Sequence, residues 1–160
     1  LIELRDKNDI TNILFTRACF ITNTGALLDP TNSAQGVYFD VTSSDDYFVA
    51  IRHRNHSDLI SKTVKTFYPG SLNPVTWDVR TNISDVYSNS MLKLNGSDYM
   101  IYAGDADGNN DINANDEAIW LSNNGITPTY NISDYDFNGD VNANDEAIWL
   151  QNNGIVISTP

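Results

Sequence analysis

Up to about residue 103 the apolar residues alternate with polar ones in short runs, broken every few positions by turn formers. That period-two pattern predicts strands with one face on a core. The runs lie at Leu1–Arg5, Ile13–Ile21, Val37–Val41, Tyr47–Arg54, Thr63–Phe67, Val75–Val79, Met91–Leu94 and Tyr99–Ala103. Val, Ile, Thr, Phe and Tyr dominate them, the residues that pack well on a pleated surface. Asn95-Gly96 joins the last two as a hairpin turn, and Pro69-Gly70 and Asn73-Pro74 mark a longer loop. No helical stripe interrupts this region. So many short strands in so short a stretch predict an antiparallel β-sandwich.

After residue 103 the pattern changes to an internal repeat. INANDEAIWLSNNGI at 112–126 returns as VNANDEAIWLQNNGI at 141–155. At the same offset Asp105 pairs with Asp134, Asp107 with Asp136, Asn109 with Asn138, and Asp111 with Asp140. Each copy predicts a loop running into a short helix. Asn113 and Asn142 suit its N-cap, Asp116 and Asp145 complete a capping box, and Gly125 and Gly154 stop it. Ala118, Ile119, Trp120 and Leu121 are consecutive apolar residues, so cover is expected on more than one side, from the sister helix and from the β region. The division expected is a β domain over 1–103 and a small α pair over 104–160.

Charge divides at the same point. The chain has 160 residues and a formal net charge of -12. Residues 1–103 hold all nine Lys and Arg against eleven acids, whereas 104–160 hold ten acids and no Lys or Arg. So much like charge opposes compaction unless something neutralises it. The acidity also argues against nucleic acid and against an anionic membrane surface, and no apolar run is long enough to insert. The single cysteine, Cys19, excludes an intrachain disulfide.

The repeat supplies the neutralising chemistry. Counted from its first Asp, each loop has oxygen-bearing residues at positions 1, 3, 5, 7, 9 and 12. These are Asp105, Asp107, Asn109, Asp111, Asn113 and Asp116, then Asp134, Asp136, Asn138, Asp140, Asn142 and Asp145. Calcium is a hard cation that takes six to eight oxygens, and a tightly turning loop aims alternate side chains at one centre. Position 7 serves through its backbone carbonyl. Position 8, Ile112 or Val141, anchors the loop inward, and position 12 closes the shell from the helix. Two calcium ions are expected. Position 6 requires a left-handed residue and is Gly139 in the second loop but Asn110 in the first, the next most tolerant type. Position 12 is Asp rather than the longer Glu of an EF-hand.

The paired Asp-x-Asp-x-Asn loops, each with Asp at position 12 and one following helix, resemble a dockerin. That resemblance implies two calcium loop-helix units packed about a pseudo-twofold axis, in a module that docks onto a cohesin. Dockerins favour small hydroxyl residues at positions 10 and 11, where this chain has Ala114-Asn115 and Ala143-Asn144. A wider resemblance rests on LIELRDKNDITNILFTRACFI, DDYFVAIRHRNH and YAGDADGNNDIN. These look like a repeated module of secreted, hemagglutinin-like surface proteins of Bacteroidetes, in which a β-sandwich runs into dockerin-like repeats. It implies a non-catalytic, extracellular structural or adhesive role.

Other features carry less. His53 and His56 have no third ligand in a motif and are expected to be structural or at the surface. Cys19 lies in an apolar run and is expected to be an inert thiol. Trp77, Tyr47, Tyr68 and Tyr87 offer a sugar-stacking platform as the alternative to core packing. The sequons at Asn55, Asn82, Asn95 and Asn131 are no more than composition predicts. No Ser-His-Asp motif, phosphate loop or zinc-protease signature appears, so no enzymatic activity is expected. The strand-like segments at both ends, LIELR and Ile155-Val156-Ile157, suggest addition to a neighbour's sheet. The partners expected are therefore copies of this chain or sister modules in a linear array or filament, with a glycan or a cohesin-like protein as alternatives.

Overall fold

The computed structural model describes residues 1–160 apart from 23, 71–73, 88–90, 95, 129 and 159, and the backbone alone at 91–94. It is mainly β, with antiparallel strands and two short helices. The strands are β1 (Ile2–Asp6), β2 (Ile13–Arg17), β3 (Phe20–Ile21), β4 (Leu27–Leu28), β5 (Asp45–Ile51), β6 (Leu59–Ile60), β7 (Lys65–Phe67), β8 (Met91–Leu94) and β9 (Asp98–Ile101). The helices are α1 (Ala114–Asn123) and α2 (Ala143–Asn152).

The main sheet runs β2-β1-β5-β6, with β7 pairing a different stretch of β5. Pairs β3-β4 and β8-β9 stand apart from it. Ser61 bridges the change from β6 to β7: its amide donates to the Val49 carbonyl at 2.8 Å and its hydroxyl accepts the Val49 amide at 2.9 Å. Alternation along β1 and β5 puts Ile2, Leu4, Tyr47 and Val49 into one apolar cluster, with Phe39 and Val41 laid against them. Four rings close a cycle of edge-to-face contacts: Phe15–Tyr47 and Tyr47–Phe67 at 5.8 Å, Phe39–Phe67 at 6.0 Å and Phe15–Phe39 at 6.5 Å.

Several expected strands differ. The Ile13–Ile21 run is split into β2 and β3. Leu14 is the extra residue of a bulge, since Leu4 pairs with Phe15 and Arg5 with Ile13. Val37–Val41 and Val75–Val79 form no strand. Their side chains explain the alternating pattern, because Phe39 and Val41 are buried and Trp77 and Val79 pack on the core without a ladder partner. Leu59–Ile60 and Leu27–Leu28 are strands too short to alternate visibly. The expected turn at Asn95-Gly96 falls partly outside the described residues, but β8 and β9 do pair antiparallel on either side of it.

The terminal segments are used within the chain. β1 is flanked on both sides, by β2 and β5. At the other end Val156 bridges to Asp111, and Ile157, 5% exposed, donates its amide to the Asn110 carbonyl at 2.8 Å. β1 therefore has no open edge, and the 155–157 segment is bonded to 110–112.

Residues 104–157 form a second cluster, centred on Ile112, Trp120, Tyr135, Val141 and Trp149. The two repeats interlock through mirrored backbone bonds. Ile112 donates to the Ile155 carbonyl at 2.9 Å and accepts from Gly154 at 2.8 Å; Val141 donates to Ile126 at 3.0 Å and accepts from Gly125 at 2.8 Å. Each position-8 residue is thereby sewn to the chain leaving the other unit's helix. Only one side of each helix is covered, contrary to expectation. Consecutive helical residues fan apart by about 100°, so Trp120 is buried while Leu121 and its counterpart Leu150 are each 65% exposed.

Candidate metal centres

Each loop is shaped by its own side chains before any ligand is considered. Asp116 accepts the amides of Ala106 at 2.7 Å and Asp107 at 3.1 Å on Oδ1, and that of Asn113 at 2.9 Å on Oδ2. Asp145 does the same for Tyr135 at 2.6 Å, Asp136 at 3.3 Å and Asn142 at 2.8 Å. The position-12 residue therefore ties the start of the loop to the start of the helix. Asn113 and Asn142 are the N-caps, accepting the amides of Asn115 and Asn144, and both capping boxes are complete. Asn109 and Asn138 accept the amides of Asp111 at 2.7 Å and Asp140 at 2.8 Å.

The outcome is two matched groups of carboxylates. Asp105, Asp107 and Asp116 form one, and Asp134, Asp136 and Asp145 the other; in each, one oxygen per residue lies within 4.8 Å of the rest. These groups can hold a metal ion. In each, positions 1 and 12 are buried and position 3 is exposed, giving an opening toward solvent. Burial raises the Asp105 carboxyl above its ordinary range, and the Asp116 charge adds to this against the bonds from Asn110 and Asn109. Burial likewise raises Asp134, with Asp145 adding to it. Oδ1 of Asp134, in a residue 3% exposed, has no hydrogen-bond partner. A buried anionic oxygen without a partner is costly, and a cation would supply one.

The remaining expected ligands stand differently. Asp111 and Asp140 are in neither triad; Asp140 accepts from the Thr127 hydroxyl, and the Asp111 carbonyl accepts from Asn113 Nδ2 at 2.9 Å. The Asn113 and Asn142 oxygens are engaged in capping. Asn109 and Asn138 turn Nδ2 toward Asp107 at 3.0 Å and Asp136 at 2.9 Å. The anchors Ile112 and Val141 are 0% and 1% exposed, and position 6 is left-handed in both loops, with φ of 67° at Asn110 and 89° at Gly139.

A clamp around the loops could not be read from the sequence. It is the segment 52–58, leaving β5. The Asn55 carbonyl accepts the amides of Gly104 at 3.0 Å and Asp105 at 3.2 Å, while its Nδ2 donates to the Asp134 carbonyl at 2.8 Å. One residue thus holds the first position of both loops. Asn55 is fully buried, which closes its sequon in the folded chain. His53 and His56 meet edge to face at 4.7 Å, and both meet Phe137, stacked on His56 at 5.2 Å. Burial lowers His53 to about 4 and His56 to about 3, so both rings are neutral at pH 7. Phe137 has φ 61°, a conformation costing a non-glycine residue about 1–2 kcal/mol, where the first loop has Gly108 at φ 71°, and its ring packs on the two His rings. The signals available were Asn110 standing where glycine is expected and Phe137 standing where the first loop has Gly108.

Tyr47 is buried and Trp77 packs between two apolar clusters, so neither forms an exposed platform. Burial pushes the Cys19 thiol up, away from a reactive thiolate. Among the described residues no helix is long and apolar enough to cross a membrane. Comparisons with protein-family models, curated proteins and solved structures find no match, so the site is read from its own geometry.

Proposed function

We propose that this chain is a non-catalytic, calcium-stabilised structural or adhesive module that works outside a bacterial cell. In this reading the β region is a sandwich domain over 1–103, and 104–160 is a dockerin-like pair holding two calcium ions. The observation that carries it is the duplicated triad with its partnerless buried oxygen at Asp134. Asp105, Asp107 and Asp116 would hold one ion, and Asp134, Asp136 and Asp145 the other, with Asn109, Asn138 and the carbonyls of Asp111 and Asp140 completing the oxygen sets. Calcium, when bound, supplies positive charge to neutralise these carboxylates. The all-oxygen donor set suits it. Modules of this kind have dissociation constants of about 10⁻⁴–10⁻³ M, which extracellular calcium satisfies.

A linear array with sister modules or copies of the chain fits such a role. Its joints would lie elsewhere than β1, which is flanked on both sides. Docking onto a cohesin-like partner is the second reading, favoured by Leu121 and Leu150, which stand exposed at matched positions of the two helices. Isothermal calorimetry on metal-stripped protein tests the main reading. Uptake of two calcium ions at or below millimolar concentration is expected; no uptake would refute it.

A further inference from the structure

The two loops carry the same ladder, yet among the described residues only the second has a cation built against it. Arg54 Nη2 lies 3.7 Å from Asp134 Oδ2, and the arginine side chain is 15% exposed. Its guanidinium carbon sits 3.7 Å over the Tyr130 ring and 5.2 Å from the Phe137 ring. Those contacts fix the charge in place, since leaving would forfeit both. Asp134 Oδ2 also accepts the Gly139 amide at 3.2 Å, as Asp105 Oδ2 accepts that of Asn110 at 3.0 Å, while Asp105 Oδ1 accepts the Asn109 amide at 3.0 Å as well. Among the described residues no Lys or Arg pairs with Asp105, Asp107 or Asp116. Arg52, two residues before Arg54, is paired at 3.0 Å with Asp58.

The geometry points to two unequal cation sites, in which Arg54 is a fixed counter-charge that weakens divalent-cation binding at the second loop. This rests on the reading of the loops as calcium sites. An incoming ion at the second triad meets a field from three carboxylates less one guanidinium, and at the first triad three carboxylates alone. Even with the screening of bulk water, one unit charge several ångströms from a divalent ion is worth about tenfold in affinity. The first site therefore fills first. The second fills at higher calcium, and its filling is coupled to the β region through the residue that opposes it.

Calcium calorimetry on the full, metal-stripped chain tests this. Asp136→Asn silences the second loop and isolates the first; Asp107→Asn isolates the second. Expected is weaker binding in Asp107→Asn than in Asp136→Asn. Adding Arg54→Gln should tighten the Asp107→Asn protein by about tenfold and leave the Asp136→Asn protein within about twofold, while Arg54→Lys stays near the parent value. Equal sites, a shift of both sites together, or looser binding on Arg54→Gln would overturn the inference. Should Arg54→Gln lose its helical circular-dichroism signal, salt dependence decides with Arg54 intact. The first site should weaken more steeply with salt than the second, because its net charge is larger; equal slopes would overturn it. Two equal sites leave the calcium reading standing, whereas no uptake by the unmutated chain removes both.

Discussion

The indoles of Trp120 and Trp149 each donate to the loop of the opposite unit: Trp120 Nε1 to the Asn142 carbonyl at 3.2 Å, Trp149 Nε1 to the Asn113 carbonyl at 3.0 Å. Each acceptor is the N-cap of the other helix. The rings fill the core between the repeats and are 5% exposed. Trp120→Ala should therefore cost about 3–5 kcal/mol, with Trp149→Ala in the same range, whereas Trp120→Phe should cost less because it keeps most of the packing. Urea denaturation in saturating calcium measures this. A loss below about 1 kcal/mol for Trp120→Ala would contradict the packing described.

Asn110 gives up the glycine of position 6 for a contact with the clamp. Its Oδ1 accepts the Asp58 amide at 2.7 Å and its Nδ2 donates to Asp58 Oδ2 at 3.2 Å. Asn110→Gly relaxes the left-handed backbone but strands the buried Asp58 amide and leaves the Asp58 carboxylate to Arg52. The expected net effect is destabilisation by about 1–3 kcal/mol. A melting temperature equal to or above that of the parent would show that backbone relief outweighs the bond.

Calcium removal should act unevenly. Where a site is formed only in the folded state, binding energy is folding energy. With a chelator, hydrogen exchange at the α1 and α2 amides is expected to rise by orders of magnitude, while Leu4 and Val49, in the paired core of the sheet, stay protected. Uniform exchange in both regions would mean that the β sheet cannot stand without the loops.

The clamp histidines predict a loss of stability in acid. Their ordinary pKa is 6.5, and burial holds them at about 4 and about 3 in the fold. The unfolded chain thus takes up protons first. Their stabilising contribution is complete above about pH 6.5 and is lost as pH falls toward 4 and below. His53→Gln should show a shallower fall in urea midpoint between pH 6.5 and 4.5 than the parent. Parallel curves would assign the acid sensitivity to other groups.

The two carboxylate triads were legible because each lies within twelve consecutive residues, so spacing alone determines that Asp105, Asp107 and Asp116 converge. The same holds for the ends of α1 and α2, since caps and glycine stops are chemistry local to the turn. The mainly β character was legible from period two, because burial on one face leaves its mark on alternate residues. It failed where a side chain is buried without a ladder: Phe39 and Trp77 produce the alternation of a strand while their backbones join no sheet among the described residues. Only tertiary structure could bring Arg54 and Asn55 to Asp134, and Asp58 to Asn110. Those contacts span 50 residues or more and leave no periodic trace. Two loops nearly identical in sequence thus acquire different surroundings, because one folded chain can place Arg54 against only one of them.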